Sequence, residues 1–105
     1  MNTCVFCKIT SGDILTEKKE HGGGAFVSFL DKNPKAPGHT LLVPRKHYRW
    51  FLDMPEDEYI ELMKVARTLS GALKEEYGAD YIQIGIAGDE VPHVHVHLIP
   101  RKLKT

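Results

Sequence analysis

The chain has 105 residues, of which 42% are hydrophobic and 27% are charged, and its 14 basic side chains balance 14 acidic ones. This length suits a single domain over residues 1–105 with one modest core. The balanced charge gives no argument for a nucleic-acid partner, and we expect none. No apolar run approaches the roughly 20 residues that a membrane-spanning helix needs, so we expect no membrane association.

The N-terminal segment is typical of a cytoplasmic protein. It lacks the basic and apolar regions of a secretion signal. The chain contains two cysteines, Cys4 and Cys7, and one close pair is not the framework of a disulfide-stabilised domain. We therefore expect a reducing compartment, the cytoplasm.

The first half of the chain predicts one short helix and two strands. Residues 5–12 can form a helix that ends at its glycine. Residues 25–30 are rich in aromatic and branched side chains, which favour a strand, and residues 39–44 form a second strand closed by a proline. Between these strands, two prolines and a glycine indicate a turn over residues 31–38.

The second half predicts a long helix followed by two strands. Pro55 and the acidic residues after it suit the first turn of the helix, and Gly78 is a natural stop. Apolar residues recur between them at three- and four-residue spacing, at Tyr59, Leu62, Met63, Ala66, Leu69 and Leu73. Residues 81–86 and 91–99 then form two strands joined by a short turn. Because strands outnumber helices and short turns join neighbours, we expect the α+β class with an antiparallel sheet.

Three of the six histidines, His93, His95 and His97, alternate with aliphatic residues in the last predicted strand. Successive side chains of a strand point to opposite faces, so the three imidazoles should share one face at spacings of roughly 7 Å. Such a row has three interpretations: a solvated polar face, a metal site or a catalytic site.

The metal and catalytic interpretations both rest on imidazole chemistry. Two histidines at i and i+2 can share a zinc ion, but the outer pair of three lies too far apart to join one tetrahedral site. A neutral imidazole is also a competent nucleophile at pH 7. Flanking imidazoles can then hold phosphoryl oxygens or donate a proton.

Residues 93–99, His-Val-His-Val-His-Leu-Ile, resemble the His-x-His-x-His motif with apolar x that names the histidine triad family. Four further segments are similar to segments of that family: residues 4–12, 29–34, 36–47 and 100–101. The resemblance covers nearly the whole chain. It is specific because five separate segments agree in order and spacing.

The family resemblance implies a fold, an assembly and a reaction. The fold is α+β, an antiparallel sheet of about five strands with one short N-terminal helix and one long helix. Two subunits pair into a homodimer. The reaction is attack on the α-phosphorus of a purine nucleotide conjugate, such as an adenosine or guanosine phosphoramidate, through a nucleotidyl-histidine intermediate that water hydrolyses.

The resemblance also assigns roles to individual residues. His95 is the nucleophile, His93 and His97 are the other catalytic histidines, and Asp31 accepts hydrogen bonds from the ribose hydroxyls. His97 and backbone N–H groups near Glu90 bind the phosphoryl oxygens, where negative charge builds during phosphoryl transfer. The other nucleotide-binding candidates are Phe29 and Leu30 at the base, His39 close to the triad, and Gln83 at the position of a family asparagine.

Zinc-containing members of the family use the positions of Cys4, Cys7, His47 and His93. A Cys-x-x-Cys pair alone is a weak signal, because it also fits a redox pair or two small residues that open a helix. Two thiolates and two imidazoles, however, complete a closed tetrahedral zinc site. We therefore expect a structural zinc ion that ties the first helix to the histidine strand. The alternative for His47 is membership of a solvated basic run over residues 45–49.

One segment departs from the family pattern. Family members carry Gly-Gln followed by Ser or Thr, whereas this chain has Gly88, Asp89 and Glu90. Two carboxylates beside a phosphate site repel an anionic substrate unless they point away, and the hydroxyl that assists the leaving group is absent. Three functions stay open: a nucleoside phosphoramidate hydrolase, a dinucleoside polyphosphate hydrolase, and a nucleotide-binding or interaction protein with little catalysis.

Overall fold

The computed structural model describes residues 4–104, which form two α-helices packed on a five-stranded sheet. The elements are the helices α1 (Val5–Ser11) and α2 (Glu56–Glu76) and the strands β1 (Lys19–His21), β2 (Phe26–Leu30), β3 (Thr40–Pro44), β4 (Tyr81–Ala87) and β5 (His95–Arg101). Two short 3-10 turns lie at Gly22–Gly24 and Phe51–Asp53. Within this part of the chain, neither α-helix is long and apolar enough to cross a membrane.

The sheet is antiparallel throughout, with the strands in the order β1-β2-β3-β5-β4. The predicted α+β class, with five antiparallel strands, one short helix and one long helix, is confirmed. The connection through α2 carries the chain from β3 to the far edge, so β5 returns between β3 and β4. In this register His97 lies between Leu41 and Gly85, and His95 lies opposite Ala87.

Helix α2 covers one face of the sheet. Three acidic residues occupy its first turn, where they favour the positive end of the helix dipole. Its buried residues Leu62, Ala66 and Leu73 are spaced so that they form one stripe along the helix. This stripe packs against an apolar sheet surface that includes Val96 and Leu98, which makes this face the main core of the domain.

Helix α1 packs on the opposite face of the sheet. Its Phe6 joins a second cluster of buried apolar residues with Phe29 of β2 and Leu41 of β3. The helix ends at Gly12, whose φ of 90° is a left-handed conformation that glycine adopts without strain. Because Leu41 is the register partner of His97, the histidines of β5 lie on this α1 face.

Strand β5 begins later than the sequence predicted. It starts at His95 rather than at residue 91. Pro92 has no N–H to donate to a sheet ladder, and the His93 N–H donates instead to the Val91 carbonyl at 2.7 Å. The prediction that three histidines alternate along one strand is therefore wrong for His93, which precedes the strand.

Candidate active site and metal cluster

Strands β4 and β5 place His95 and His97 side by side on the α1 face. Their ring centroids are 4.9 Å apart, and His95 is 5% exposed. On β4, the residue opposite His97 is Gly85, and a Cβ built there would meet no heavy atom within 4 Å. This leaves open space beside His97 in which part of a substrate can lie.

The hydrogen bonds of His95 leave one of its ring nitrogens available for attack. Its Nδ1 lies 2.8 Å from the carbonyl oxygen of His93. A carbonyl can only accept, so Nδ1 carries the ring proton and Nε2 keeps an unshared electron pair. The Phe6 ring holds the imidazole from a second side, edge-on at 5.0 Å between centroids. The neutral form of His95 therefore has a fixed tautomer with Nε2 bare, as a nucleophile requires.

A second chain of hydrogen bonds fixes the tautomer of His97. The backbone N–H of Lys35 donates to His39 Nδ1 at 3.0 Å. The proton of His39 therefore sits on Nε2, which donates to His97 Nδ1 at 2.9 Å. His97 in turn carries its own proton on Nε2. That N–H is a donor, of the kind that binds a phosphoryl oxygen.

Burial keeps both members of this histidine pair neutral. It is the main cause that lowers the pKa of His39 and of His97 below the ordinary 6.5, and each is partly offset by the nearby Asp31 carboxylate. In the histidine row itself, His93 and His95 are 0% and 5% exposed, and His97 is partly buried. The interpretation of the histidine row as a solvated polar surface is therefore wrong.

Asp31 is positioned at the start of the turn after β2. Its Oδ1 accepts the Asn33 N–H at 2.9 Å, and its backbone N–H donates to the His39 carbonyl at 2.9 Å. Its other oxygen, Oδ2, lies 3.4 Å from His39 Nε2. The carboxylate is thus held beside the histidine pair by the backbone, and its side chain is partly exposed. It can accept further hydrogen bonds from hydroxyl groups of a ligand.

The two residues predicted for a base pocket lie on opposite faces of β2. Phe29 is buried on the α1 face, with its ring centroid 5.6 Å from that of Phe6. Leu30 follows it, so its side chain points to the other face, where it is 61% exposed. The structure therefore places Phe29 on the face of the triad, and it does not place Leu30 there.

Gln83 and Glu90 lie at the margins of this face. Gln83 is opposite Ile99, two positions beyond the Gly85–His97 pair, and its Oε1 accepts a hydrogen bond from Arg101 at 2.9 Å. Glu90 is exposed in the bend that precedes β5. Gln83 thus lies beyond His97, whereas Glu90 lies in the segment that leads into β5 at His95.

The segment that departs from the family pattern, Asp89 and Glu90, follows a glycine that a close approach between two loops requires. A Cβ at Gly88 would lie 2.1 Å from the carbonyl oxygen of Arg49, so the two loops meet at a distance that only glycine permits. Backbone N–H groups of Glu90 and of Asp89 itself lower the pKa of the Asp89 carboxyl, and the neighbouring His95 adds to this. Asp89 therefore stays ionised on the His95 side of the site.

Four residues from distant parts of the chain meet at the other end of the triad: Cys4, Cys7, His47 and His93. Their ligand atoms all lie within 4.8 Å of one another. His93 Nδ1 is 3.4 Å from each of the two cysteine sulfurs, and His47 Nδ1 is 3.1 Å from Cys7 Sγ. Nothing but the fold brings these residues together, since Cys7 and His47 are 40 positions apart.

This donor set fits zinc. Tetrahedral zinc with Zn–S near 2.3 Å and Zn–N near 2.0–2.1 Å separates sulfur and nitrogen ligands by about 3.5 Å, close to the distances found. His93 Nε2 donates to the Pro44 carbonyl at 2.8 Å, which leaves Nδ1 bare toward the sulfurs. Burial lowers the pKa of His93, and a neutral imidazole is the form that binds metal.

A second group of ligand-type side chains, Asp31, His39 and His97, is equally compact but does not suit a metal. Its atoms also lie within 4.8 Å of one another. The Lys35 N–H occupies the lone pair of His39 Nδ1, so His39 Nε2 must carry a proton and has no lone pair for an ion. These side chains are therefore connected through the proton on His39 Nε2 rather than through a metal ion.

Sequence reasoning missed two contributors to this site. Phe6 contacts the rings of His93 and His95, and the backbone of Lys35 sets the tautomer of the His39–His97 pair. The position of Phe6 between the two cysteines was a usable signal, because any group that binds both cysteines also fixes Phe6. The Lys35 contact is made by the backbone N–H, which nearly every residue type has, so the sequence gives no signal for it.

Comparison with known proteins relates the chain to one set of relatives. The HIT domain profile matches residues 23–104. An uncharacterised HIT-like protein of Methanocaldococcus jannaschii is 42% identical over 93% of this chain and 78% of its own length. The adenosine 5'-monophosphoramidase of Saccharomyces cerevisiae is 36% identical over 94% of this chain and 63% of its own length. The crystal structure of a zinc-bound histidine triad family protein from Mycobacterium smegmatis has a TM-score of 0.86 and 32% identity, covering 95% of this chain and 76% of that one.

Proposed function

This chain belongs to the histidine triad (HIT) family, and on that basis we propose that it is a nucleotide-binding hydrolase that acts at the α-phosphorus of nucleoside phosphoramidates. The observation that carries the proposal is the unprotonated Nε2 of His95, fixed by the bond from Nδ1 to the His93 carbonyl. The similarity to the yeast adenosine 5'-monophosphoramidase favours a purine nucleoside 5'-phosphoramidate as the substrate class.

The proposed reaction has two displacement steps at phosphorus. In the first, His95 Nε2 attacks, the P–N bond to the leaving group breaks, and the departing amine takes a proton from solvent. In the second, water attacks the nucleotidyl-histidine, the bond to Nε2 breaks, and the water gives its proton to solvent. The products are a nucleoside monophosphate and an amine, and His95 keeps its proton on Nδ1 throughout.

The remaining site residues bind and orient the nucleotide. The His97 Nε2–H donates to a phosphoryl oxygen, where negative charge builds in the transition state. Backbone N–H groups near Glu90 serve the same oxygens. Asp31 accepts from the ribose hydroxyls, and Phe29 lies beneath the base. We place Leu30 outside this arrangement because of its position on the opposite face of β2.

The Asp89 carboxylate favours an amine leaving group over a polyphosphate. It is ionised and near His95. A fixed negative charge beside His95 repels a polyphosphate and attracts an amine that becomes protonated as it leaves. Among the three functions that the sequence leaves open, this charge supports phosphoramidate hydrolysis against the hydrolysis of dinucleoside polyphosphates.

We propose that Cys4, Cys7, His47 and His93 hold a structural zinc ion. Four protein ligands close a tetrahedral site, and a closed site has no open position for substrate. The ion would tie α1 to the segment before β5 and leave His95 and His97 outside its coordination. Thiolate ligands survive best in a reducing compartment, which favours the cytoplasm for this protein.

We also propose a homodimer, because two apolar surfaces lack a partner within residues 4–104. Strand β4 is an edge of the sheet, and its Ile84 and Ile86 are 45% and 39% exposed. Tyr59 and Ile60 of α2 are exposed to a similar degree. Long apolar edge strands invite pairing with another chain, and a two-fold dimer is the simplest closed assembly. A monomer mass by light scattering at micromolar concentration contradicts this.

The nucleophile is tested by His95→Ala, assayed on adenosine 5'-phosphoramidate and on a diadenosine polyphosphate. We expect turnover to fall at least about 10³-fold while AMP affinity stays within about tenfold, because a nucleophile acts in bond making rather than in ground-state binding. The wild type should prefer the phosphoramidate, and rapid quenching followed by mass spectrometry should detect nucleotidylated His95.

The control for this experiment is His21→Ala. His21 lies on β1 and is bonded to Ser28, outside the triad, so its loss should leave turnover close to the wild-type value. Turnover that survives in His95→Ala removes His95 from the mechanism. If neither substrate is consumed by the wild type and AMP still binds, the protein is a nucleotide-binding protein rather than an enzyme.

A further inference from the structure

Helix α1 places one aromatic ring between the cysteine pair and the nucleophile. Phe6 lies between Cys4 and Cys7 in sequence, and it is 6% exposed. Its ring centroid is 5.0 Å from that of His95 and 6.1 Å from that of His93, edge-on to both. With one side chain, Phe6 therefore contacts both His93 of the metal cluster and His95, the proposed nucleophile.

His93 makes a second connection between the same two sites. Its ring faces the two sulfurs through Nδ1, while its carbonyl accepts a hydrogen bond from His95 Nδ1. Any displacement of the His93 residue therefore acts on both the metal cluster and the nucleophile. Phe6 lies against this connection and packs on its far side against Phe29.

We propose that Phe6 is a positioning residue that couples metal occupancy of the Cys4–Cys7–His47–His93 cluster to nucleotide binding at His95. The inference rests on the proposed zinc site and the proposed nucleotide site, and adds a free-energy link between them. Zinc and nucleotide then bind with positive cooperativity. Substitution of Phe6 removes the cooperativity and leaves both sites able to bind.

The shortness of α1 is the physical reason for the coupling. A helix of seven residues is far below the about 12–15 residues at which an isolated helix becomes marginally stable. Its position depends on what its side chains hold. Thiols are weak hydrogen-bond partners, whereas two Zn–S bonds hold both cysteines firmly. Metal loading therefore narrows the positions open to α1 and to the Phe6 ring.

The ordering of Phe6 then affects the nucleotide site. When α1 moves, the edge of Phe6 no longer confines the His95 ring, and the packing of Phe29 loosens. A nucleotide that binds the metal-free protein must first fix the positions of these side chains, which lowers its affinity. In the zinc-loaded protein the side chains are already fixed, so the nucleotide binds without this cost. By thermodynamic reciprocity, AMP must tighten zinc binding by the same factor that zinc tightens AMP binding.

The experiment measures this factor in both directions. AMP is titrated calorimetrically into zinc-loaded and metal-free protein, and the zinc dissociation constant is measured against a chromophoric chelator with and without saturating AMP. We expect a factor of about tenfold in both measurements for the wild type, within the range of about 5–150-fold that is usual for coupled sites. In Phe6→Leu, both ligands bind and the factor falls to about twofold or less.

Phe26→Leu is the matched control, because it makes the same substitution at a buried phenylalanine of the opposite core, 5% exposed and packed in the α2 cluster. We expect this variant to keep the wild-type factor. If Phe6→Leu weakens AMP binding equally with and without zinc, Phe6 acts by direct contact and the coupling is overturned. If metal removal unfolds the whole chain, both variants show the same factor, which also overturns the proposal.

Failure of the coupling is distinguishable from failure of the proposed function. A wild-type factor of one, with both ligands bound, overturns the coupling and leaves the two sites standing. Absence of AMP binding to the loaded protein contradicts the nucleotide site, and absence of zinc binding contradicts the metal site. Either result removes a partner of the coupling and overturns it as well.

Discussion

The two clusters on the α1 face hold similar side chains but are suited to different chemistry. The metal cluster consists of Cys4, Cys7, His47 and His93, and the proton cluster consists of Asp31, His39 and His97; in both, the ligand atoms lie within 4.8 Å of one another. The difference lies in what the outer ring nitrogen meets. His93 Nε2 meets a carbonyl, which accepts its N–H and leaves Nδ1 bare, whereas His39 Nδ1 meets an N–H, which forces the proton to Nε2.

One backbone group therefore sets the chemistry that each cluster can perform. A carbonyl behind the ring leaves the inward nitrogen bare and able to bind a metal ion, and an N–H behind the ring makes the inward nitrogen a hydrogen-bond donor. Both groups come from loops or strand ends, at Pro44 and Lys35. The composition of a cluster is thus insufficient to identify a metal site, and the hydrogen bonds behind its histidines must be included.

Removal of the cysteines should have the largest effect. In the double variant Cys4→Ser and Cys7→Ser, we expect the zinc content measured after purification without chelator to fall from about one per chain to none. We expect the melting temperature to fall by about 10 °C or more, since about 1 kcal/mol shifts Tm by about 4–8 °C in a domain of this size and metal binding contributes to folding. Part of the turnover should persist, because His95 is not a ligand.

Asp31→Asn is the control for the comparison of the two clusters, since it alters the proton cluster alone. Its zinc content should remain at the wild-type value. A loss of zinc in Asp31→Asn, or an unchanged melting temperature in the double cysteine variant, contradicts the division between a metal cluster and a proton cluster. Loss of all turnover on metal removal from a protein that remains folded assigns the catalytic role to zinc instead of His95.

A smaller effect is expected at His39, the residue that fixes the tautomer of His97. In His39→Ala, His97 Nδ1 loses its donor, the ring proton can move to that nitrogen, and Nε2 then has no proton for the phosphoryl oxygen. We expect kcat to fall about 10–100-fold, which corresponds to the roughly 1–3 kcal/mol of a hydrogen bond left unmade. Steady-state kinetics measure the fall, and zinc content should not change.

His39→Gln sharpens this test. The amide nitrogen of glutamine can take the place of Nε2 and donate to His97, so part of the lost turnover should return. Equal losses in the alanine and glutamine variants contradict the role of His39 as a hydrogen-bond donor. They assign the effect to packing instead.

Much of the fold was predictable, and the exceptions have physical causes. The stripe of α2 and the turn chemistry around the two prolines indicate the long helix and the strands that flank the turn. Strand β1 was not located, because its three residues, Lys19–His21, are polar and make an edge pairing that depends on β2. The displacement of His93 from β5 follows from Pro92, whose missing N–H was visible in the sequence.

The candidate site was less predictable than the fold. The identities of the metal cluster came from the family resemblance, and the structure brings those four residues together. Which histidine nitrogen faces inward could not be predicted, because it depends on the Pro44 carbonyl and the Lys35 N–H. Leu30 was assigned beside Phe29 although neighbours on a strand face opposite ways, so strand alternation alone argued against that assignment.

The smallest expected effect is the dependence of the proton cluster on pH. Burial lowers the pKa of His39 and His97 below 6.5, the value expected in the unfolded chain. Between the lowered pKa and 6.5 the unfolded chain binds more protons, so the contribution of these groups to the free energy of unfolding falls as the pH drops through that window. Above pH 6.5 both states are neutral, and the pair adds no pH dependence.

The measurement is the titration of the two imidazole Cε1–H signals by NMR in the zinc-loaded protein. Both midpoints should lie below pH 6.5, because burial disfavours the charged imidazolium. The Asp31 carboxylate raises both pKa values against the effect of burial, so Asp31→Asn should move both midpoints further down. A rise in Asp31→Asn would contradict the effect assigned to the Asp31 carboxylate, and midpoints above 6.5 would mean that the cluster is charged near neutral pH. His97 Nδ1 would then be protonated and could not accept the hydrogen bond from His39 Nε2. That hydrogen bond is the feature that distinguishes the proton cluster from the metal cluster.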